Sequence, residues 1–217
     1  MGFLGSFISS VVSVVSSAVK AVGQVVIDKS KEFLKMSIET LKVVTEVLEV
    51  IAKSMGILSP IETIEELGDR ALSADKKIED FDTTKEYIEY LRGEIRAKSI
   101  DELRSLPAEE RLARRVVGNS IVSRAIEEEY SLDIPVEFWD RVTEARLGGQ
   151  EINEILKRFK SNDIEPKDFV EYLKRELSRE EEDRVDSFLV DTYRELEPES
   201  DPKHIEEKIL SMQRAKG

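Results

Sequence analysis

The chain has 217 residues, one histidine, one tryptophan, no cysteine and a formal net charge of −13. The missing thiols exclude disulfides, thiolate nucleophiles and thiolate metal sites. The acidity repels phosphate backbones, so no nucleic-acid partner is expected. The charge is unevenly spread: six lysines meet five carboxylates through Leu58, giving +1, so −14 lies in residues 59–217.

The first fifty-eight residues read as an apolar-faced helical arm. At about 100° per residue, Leu4, Phe7, Ile8, Val11, Val14, Val15, Val19, Val22 and Val25 share one half of the helical wheel. Six serines and Lys20 fill the other half, and Lys20 is the only charged side chain before Asp28. Adjacent pairs such as Val11-Val12 break strand alternation, so the helix period prevails over the β preference of valine. A serine face of this kind lies easily among lipid head groups or against another helix.

From Asp28 to Leu58 the apolar share grows. Phe33, Leu34, Leu41, Leu48 and Ile51 belong to a band covering more than half the wheel, opposed by a narrow Lys/Glu stripe. A helix apolar over that much of its girth needs partners on several sides. The slow drift of the apolar centre favours one continuous helix, on the order of 80 Å at ~1.5 Å per residue. A hairpin broken near Gly23 is the alternative, and no proline or cap pair marks that position.

The uncharged stretch from Met1 to Val19 barely approaches the roughly 20 apolar residues of a spanning helix, which favours an interfacial helix. No basic residue precedes it, so a cleaved signal peptide fits poorly. Met1-Gly2-Phe3-Leu4-Gly5-Ser6 also fits the short pattern for myristoylation at Gly2.

A second region is expected over residues 59–217, an acidic multi-helix domain. Ser59 to Glu62 reads as a capping box opening a helix to about Leu67, followed by a short helix from Arg70 to Asp80. Thr83 to Glu86 and Ser99 to Glu102 are further boxes, and Leu106-Pro107 opens a longer helix carrying Arg111, Arg114, Arg115 and Arg124. These arginines are expected to pair with nearby carboxylates. Pro135 opens a helix with Phe138 and Trp139 that Gly148-Gly149 is expected to end. Helices over Gln150 to Lys160 and from Pro166 complete a sub-bundle over 135–177 with Trp139 in its core. Ser178 to Glu181 caps another helix, residues 197–201 form a linker, and a last helix runs from Pro202 to Ala215. The fold class is all-α.

Catalytic signatures are sparse. His204 stands alone, and its D-x-x-H spacing from Asp201 supplies no second histidine for a metal. Asp163, Glu165 and Lys167 have the order of a nuclease D…E-x-K pattern, but Pro166 places them at a helix start rather than on a strand. No phosphate-loop, dinucleotide or nucleophile-elbow motif occurs. No catalytic residue, metal ligand or cofactor is therefore assigned.

The expected function is non-enzymatic. Residues 1–58 bind membrane lipid or partner helices, and the acidic region contacts a protein partner, as in a delivered membrane-active protein or a virion or secretion-system component. The expected location is a membrane or a larger assembly, the chain being a homo-oligomer or complex subunit. The alternatives are a soluble oligomeric scaffold whose arm forms a coiled-coil-like interface, and a toxin or enzyme without a recognisable motif.

Overall fold

The computed structural model describes residues 2–214 and, of their side chains, all but those at 2–5, 19 and 20. Thirteen α-helices and two 3-10 turns account for the regular structure, and no strand occurs among the described residues. The chain forms two compact units, Met1–Glu128 and Glu129–Gly217.

The first unit opens with α1 (Gly2–Ser17), α2 (Val19–Val22), α3 (Gln24–Phe33) and α4 (Ile38–Ser54). The arm is thus four helices, which corrects the expectation of one long helix. Ala18 interrupts the first helical run, Gly23 adopts φ +88° between α2 and α3, and Ser37 caps α4 by accepting from the Thr40 amide at 3.0 Å. Bending lets the wide apolar band meet partners on several sides, which a rigid rod could not do. The compositional boundary at Ser59-Pro60 falls inside this unit, because the buried faces of α3 and α4 need the helices that follow.

Those are α5 (Ile64–Leu72), α6 (Thr84–Glu94), α7 (Ile100–Ser105) and α8 (Ala108–Tyr130), with a 3-10 turn at Ile78–Asp80 between α5 and α6. The helix expected from Ser59 starts instead at Ile64, where Thr63 and Glu66 make the reciprocal capping box. The Glu62 carboxylate is taken by the Arg92 guanidinium, at 2.9 Å from Nε, and holds the Ser59 amide only at 3.4 Å. The helix expected over Arg70 to Asp80 is likewise absent: α5 ends at Leu72 and only the 3-10 turn follows. Thr83 and Ser99 cap α6 and α7 as their sequences dictate.

α8 is the axle of this unit, buried on nearly all sides from Leu112 to Ile126, with polar Arg114, Asn119, Ser120 and Ser123 among the buried residues. Its Gly118 and Gly68 of α5 let the two backbones touch: a Cβ on Gly118 would lie 2.1 Å from the Ile64 carbonyl oxygen, and one on Gly68 would lie 1.9 Å from that of Arg114. Beside this crossing Asp69, 1% exposed in its side chain, accepts from Arg114 Nε at 2.8 Å and from the Lys98 amide at 2.8 Å.

The second unit holds α9 (Val136–Glu144), α10 (Gly149–Phe159), α11 (Pro166–Lys174), α12 (Arg179–Leu196) and α13 (Pro202–Arg214). Its core is aromatic. The fully buried Trp139 stands edge-on to Phe138 with centroids 5.2 Å apart, and Phe159, Phe169 and Phe188 continue the cluster. The left-handed residue that ends α9 is Arg146 rather than a glycine, at φ 59°. The Leu147 amide reaches back to Val142 O at 3.0 Å and buries its side chain, so the chain turns early and Gly148 becomes the N-cap of α10. The helix expected to end at Ala215 is described as far as Arg214.

Candidate functional site

Among the described helices α1 alone carries no charged residue. Its outer side is Ser6, Ser9, Ser10, Ser13, Ser16 and Ser17, all exposed, and the Ser10 and Ser17 hydroxyls bond back to the carbonyls of Ser6 and Val14. Such back-bonding spends the serine hydroxyl on its own helix and leaves a smooth, weakly polar surface. Phe7, Ile8, Val12 and Val14 are half-buried, whereas Val11, Val15 and Val22 are 0% exposed. The helix is therefore seated by an apolar strip with a partly wetted margin.

The apolar residues expected to form one binding face divide into two groups. Phe33, Leu34, Leu41, Leu48 and Ile51 are core residues of the first unit, with α4 burying its face from Leu41 to Ala52. Val25 stands 41% exposed, outside the buried strip. Leu4, Val19 and Gly2, the residue of the myristoylation pattern, lie outside the described side chains.

Polar contacts anchor α3 and α4 to α8. Ser30 and Ser120 share a hydrogen bond at 2.9 Å, the Lys29 ammonium pairs with Glu127, and Asn119 Nδ2 donates to Thr45 Oγ1 at 3.1 Å. Upstream of them, the joint between α2 and α3 is held by two side chains from later in the chain. The Val25 amide donates to Glu79 Oε1 at 3.2 Å, and the Tyr87 hydroxyl donates to the Ala21 carbonyl at 3.2 Å. Tyr87 is buried against Phe81, and burial, reinforced by the charges of Tyr90, Glu79 and Asp80, pushes its phenol far above the usual range. Under the arm, a crevice of about 430 Å³ separates Val14, Ala18 and Ala21 from Leu72, Glu110 and Arg114.

A second groove, about 310 Å³, opens between Lys42, Glu49, Glu65, Ile100 and Arg115. Its carboxylates serve the fold: Glu65 Oε1 accepts from Arg115 Nε at 2.9 Å, and Glu49 Oε1 accepts from the Ile64 amide at 2.9 Å. Arg114, Arg115 and Arg124 of α8 are all ion-paired, to Asp69, Glu65 and Glu128. His204 is exposed on α13, and no group of three metal-binding side chains occurs among the described residues. Among these residues no helix is long and apolar enough to cross a membrane.

Sequence reasoning missed Glu79, Tyr87, Asp69 and the α5/α8 glycine crossing. The isolated glycines inside helical patterns were the one available signal for the crossing, since a glycine there costs helix stability unless close packing needs it. No family model, curated protein or solved structure matches the chain.

Proposed function

We propose that the chain is a non-catalytic helical protein that engages the interfacial zone of a lipid bilayer through α1 and α2, carried on an acidic helical body. The observation behind this reading is the charge-free α1 with its half-buried Phe7, Ile8, Val12 and Val14. In the soluble state Val11, Val15 and Val22 are covered by the first unit. Exchanging that cover for lipid is close to neutral for them, since both environments are apolar. The gain comes from the half-buried set, where each side chain moved fully out of water contributes a fraction of the ~1.5–3 kcal/mol of complete burial. The serine face then lies at the head groups.

The test is flotation of the full chain with neutral phosphatidylcholine vesicles, compared with Phe7→Asp and Val14→Asp. Both positions are only half-buried, so a charge there weakens lipid contact with limited harm to the fold; at the fully buried Val15 it would disrupt both. Flotation of the wild-type chain that the Asp variants lose supports the reading. Flotation that survives both substitutions, or none with wild type, contradicts it.

A second reading rests on α4. Val43 and Val50, seven residues apart, are 45% and 46% exposed, a heptad-spaced apolar pair that suits association between copies of the chain. Sedimentation of wild type against Val43→Glu decides it: a concentration-dependent oligomer lost in the variant supports self-association through α4, and a monomer throughout removes it.

A further inference from the structure

We propose that Tyr87 is a latch that holds the end of α2, and with it α1, on the body beside the Gly23 joint, whose α3 side Glu79 fixes, so that opening the Tyr87 contact releases both helices as one piece. The inference rests on the membrane-contact reading for its consequence, and on the joint's geometry for its existence.

The joint is built for a hinge. At φ +88° Gly23 occupies backbone space that side-chain-bearing residues rarely adopt, and it separates two helices. Gly23 has no side chain to cap α3, so the first amides of that ten-residue helix would be left without acceptors. Glu79 supplies the acceptor from fifty-four residues away, and its negative charge sits favourably at the positive end of the helix. It needs glycine to do so: a Cβ on Gly23 would lie 1.8 Å from Glu79 Oε2 and 2.5 Å from Cδ. On the other side of the joint, Tyr87 satisfies an orphan carbonyl at the end of α2. Its buried phenol keeps its proton and so remains a donor across the physiological range.

The two sides of the joint are held differently. Downstream, α3 is bolted to α8 through Ser30, Ser120, Lys29 and Glu127. Upstream, α1 and α2 rest on an apolar strip over an open crevice, with the latch at their base. Glu79 itself is exposed on the 3-10 turn, where a change in its surroundings can reach it. A segment seated on an apolar strip can open locally as a unit, and the latch sets that opening equilibrium.

The test is hydrogen exchange of the full-length chain in lipid-free buffer, followed by flotation with phosphatidylcholine vesicles. Tyr87→Phe should raise exchange over residues 2–22 by roughly five- to tenfold, the effect of losing one such contact, with α4 to α8 unchanged, whereas Glu79→Ala should act first on the opening amides of α3. Glu79→Gln keeps the Oε1 acceptor and should stay nearer wild type than Glu79→Ala. Exchange that does not rise, or that rises equally over α3 to α8, overturns the latch. If exchange rises as expected, Tyr87→Phe should also float at lower lipid concentration than wild type. Selective exchange without any flotation leaves the latch standing and removes the membrane reading instead.

Discussion

Gly68 of α5 lies directly against the main-chain carbonyl of Arg114 on α8, and four residues along each helix the contact recurs in reverse, Ile64 against Gly118. The two backbones cross with no side chain between them. At such spacing Cα–H groups meet carbonyl oxygens, and the packing tolerates no added atom. An alanine gains ~1 kcal/mol of helix propensity over glycine, but here its methyl forces the helices apart, and overpacking of this kind costs about 1–3 kcal/mol or more. Gly68→Ala and Gly118→Ala should each lower the urea midpoint seen by far-UV circular dichroism. Gly93→Ala in α6, with nothing within 4 Å of the added carbon, should raise it through a gain of about 0.4–1 kcal/mol in stability.

The same crossing places Asp69 where its charge is enclosed. Burial alone would raise its carboxyl, but hydrogen bonds from the Lys98 amide, the Arg114 guanidinium and the Lys98 ammonium hold it below the usual carboxylate value. A folded pKa below the unfolded one contributes stability that is fully present above the unfolded value of about 3.9 and is lost as pH falls through the folded value. Asp69→Ala leaves Arg114 Nε without its acceptor, although Nη1 keeps Glu110, and should cost about 1–3 kcal/mol at neutral pH. The gap between wild type and variant should narrow on acidification below about 4, which urea titrations at a series of pH values would measure.

In the second unit Trp139 is the chain's only tryptophan, so its fluorescence reports that unit alone. Phe138 meets Trp139, Phe159 and Phe169 within 6.1 Å between ring centroids. Phe138→Ala should leave a cavity costing about 3–5 kcal/mol, lower the midpoint of the fluorescence transition and shift the native emission to the red.

The lipid reading carries its own electrostatic signature. The body is strongly acidic whereas α1 is uncharged, so anionic vesicles should bind the chain more weakly than neutral ones at low ionic strength. Raising salt screens that repulsion, so binding to anionic vesicles should strengthen toward the neutral value, while binding to neutral vesicles stays flat. Flotation across a salt series reads both trends.

Local chemistry was legible in the sequence where the partners are close in the chain. Thr83, Ser99 and Ser178 each cap the helix that follows, and Pro166 opens α11, because a cap involves residues within one turn. Where two such boxes follow one another the rule cannot choose. Ser59 to Glu62 and Thr63 to Glu66 both qualify, and the choice falls on Thr63 because Arg92, thirty residues on, binds Glu62. The arm's apolar periodicity marked Val11, Val15, Val22, Phe33, Leu34, Leu41, Leu48 and Ile51, which are buried, together with Val14 and Val25, which are not, and periodicity does not say what covers a residue. The break at Gly23 was invisible as a helix start because its acceptor is Glu79 rather than a neighbouring cap. The shift in charge near Leu58 recorded surface composition, which is independent of where the core closes.

Insertion of α1 is tested most directly by a probe on its margin. The chain has no cysteine, so Val14→Cys offers a single attachment point for an environment-sensitive fluorophore. On adding phosphatidylcholine vesicles, the account predicts a blue-shifted, brighter emission that a bilayer-soluble quencher suppresses, and its loss when Phe7→Asp is added. An emission unchanged at every lipid concentration, in the wild-type and Tyr87→Phe backgrounds alike, would contradict it.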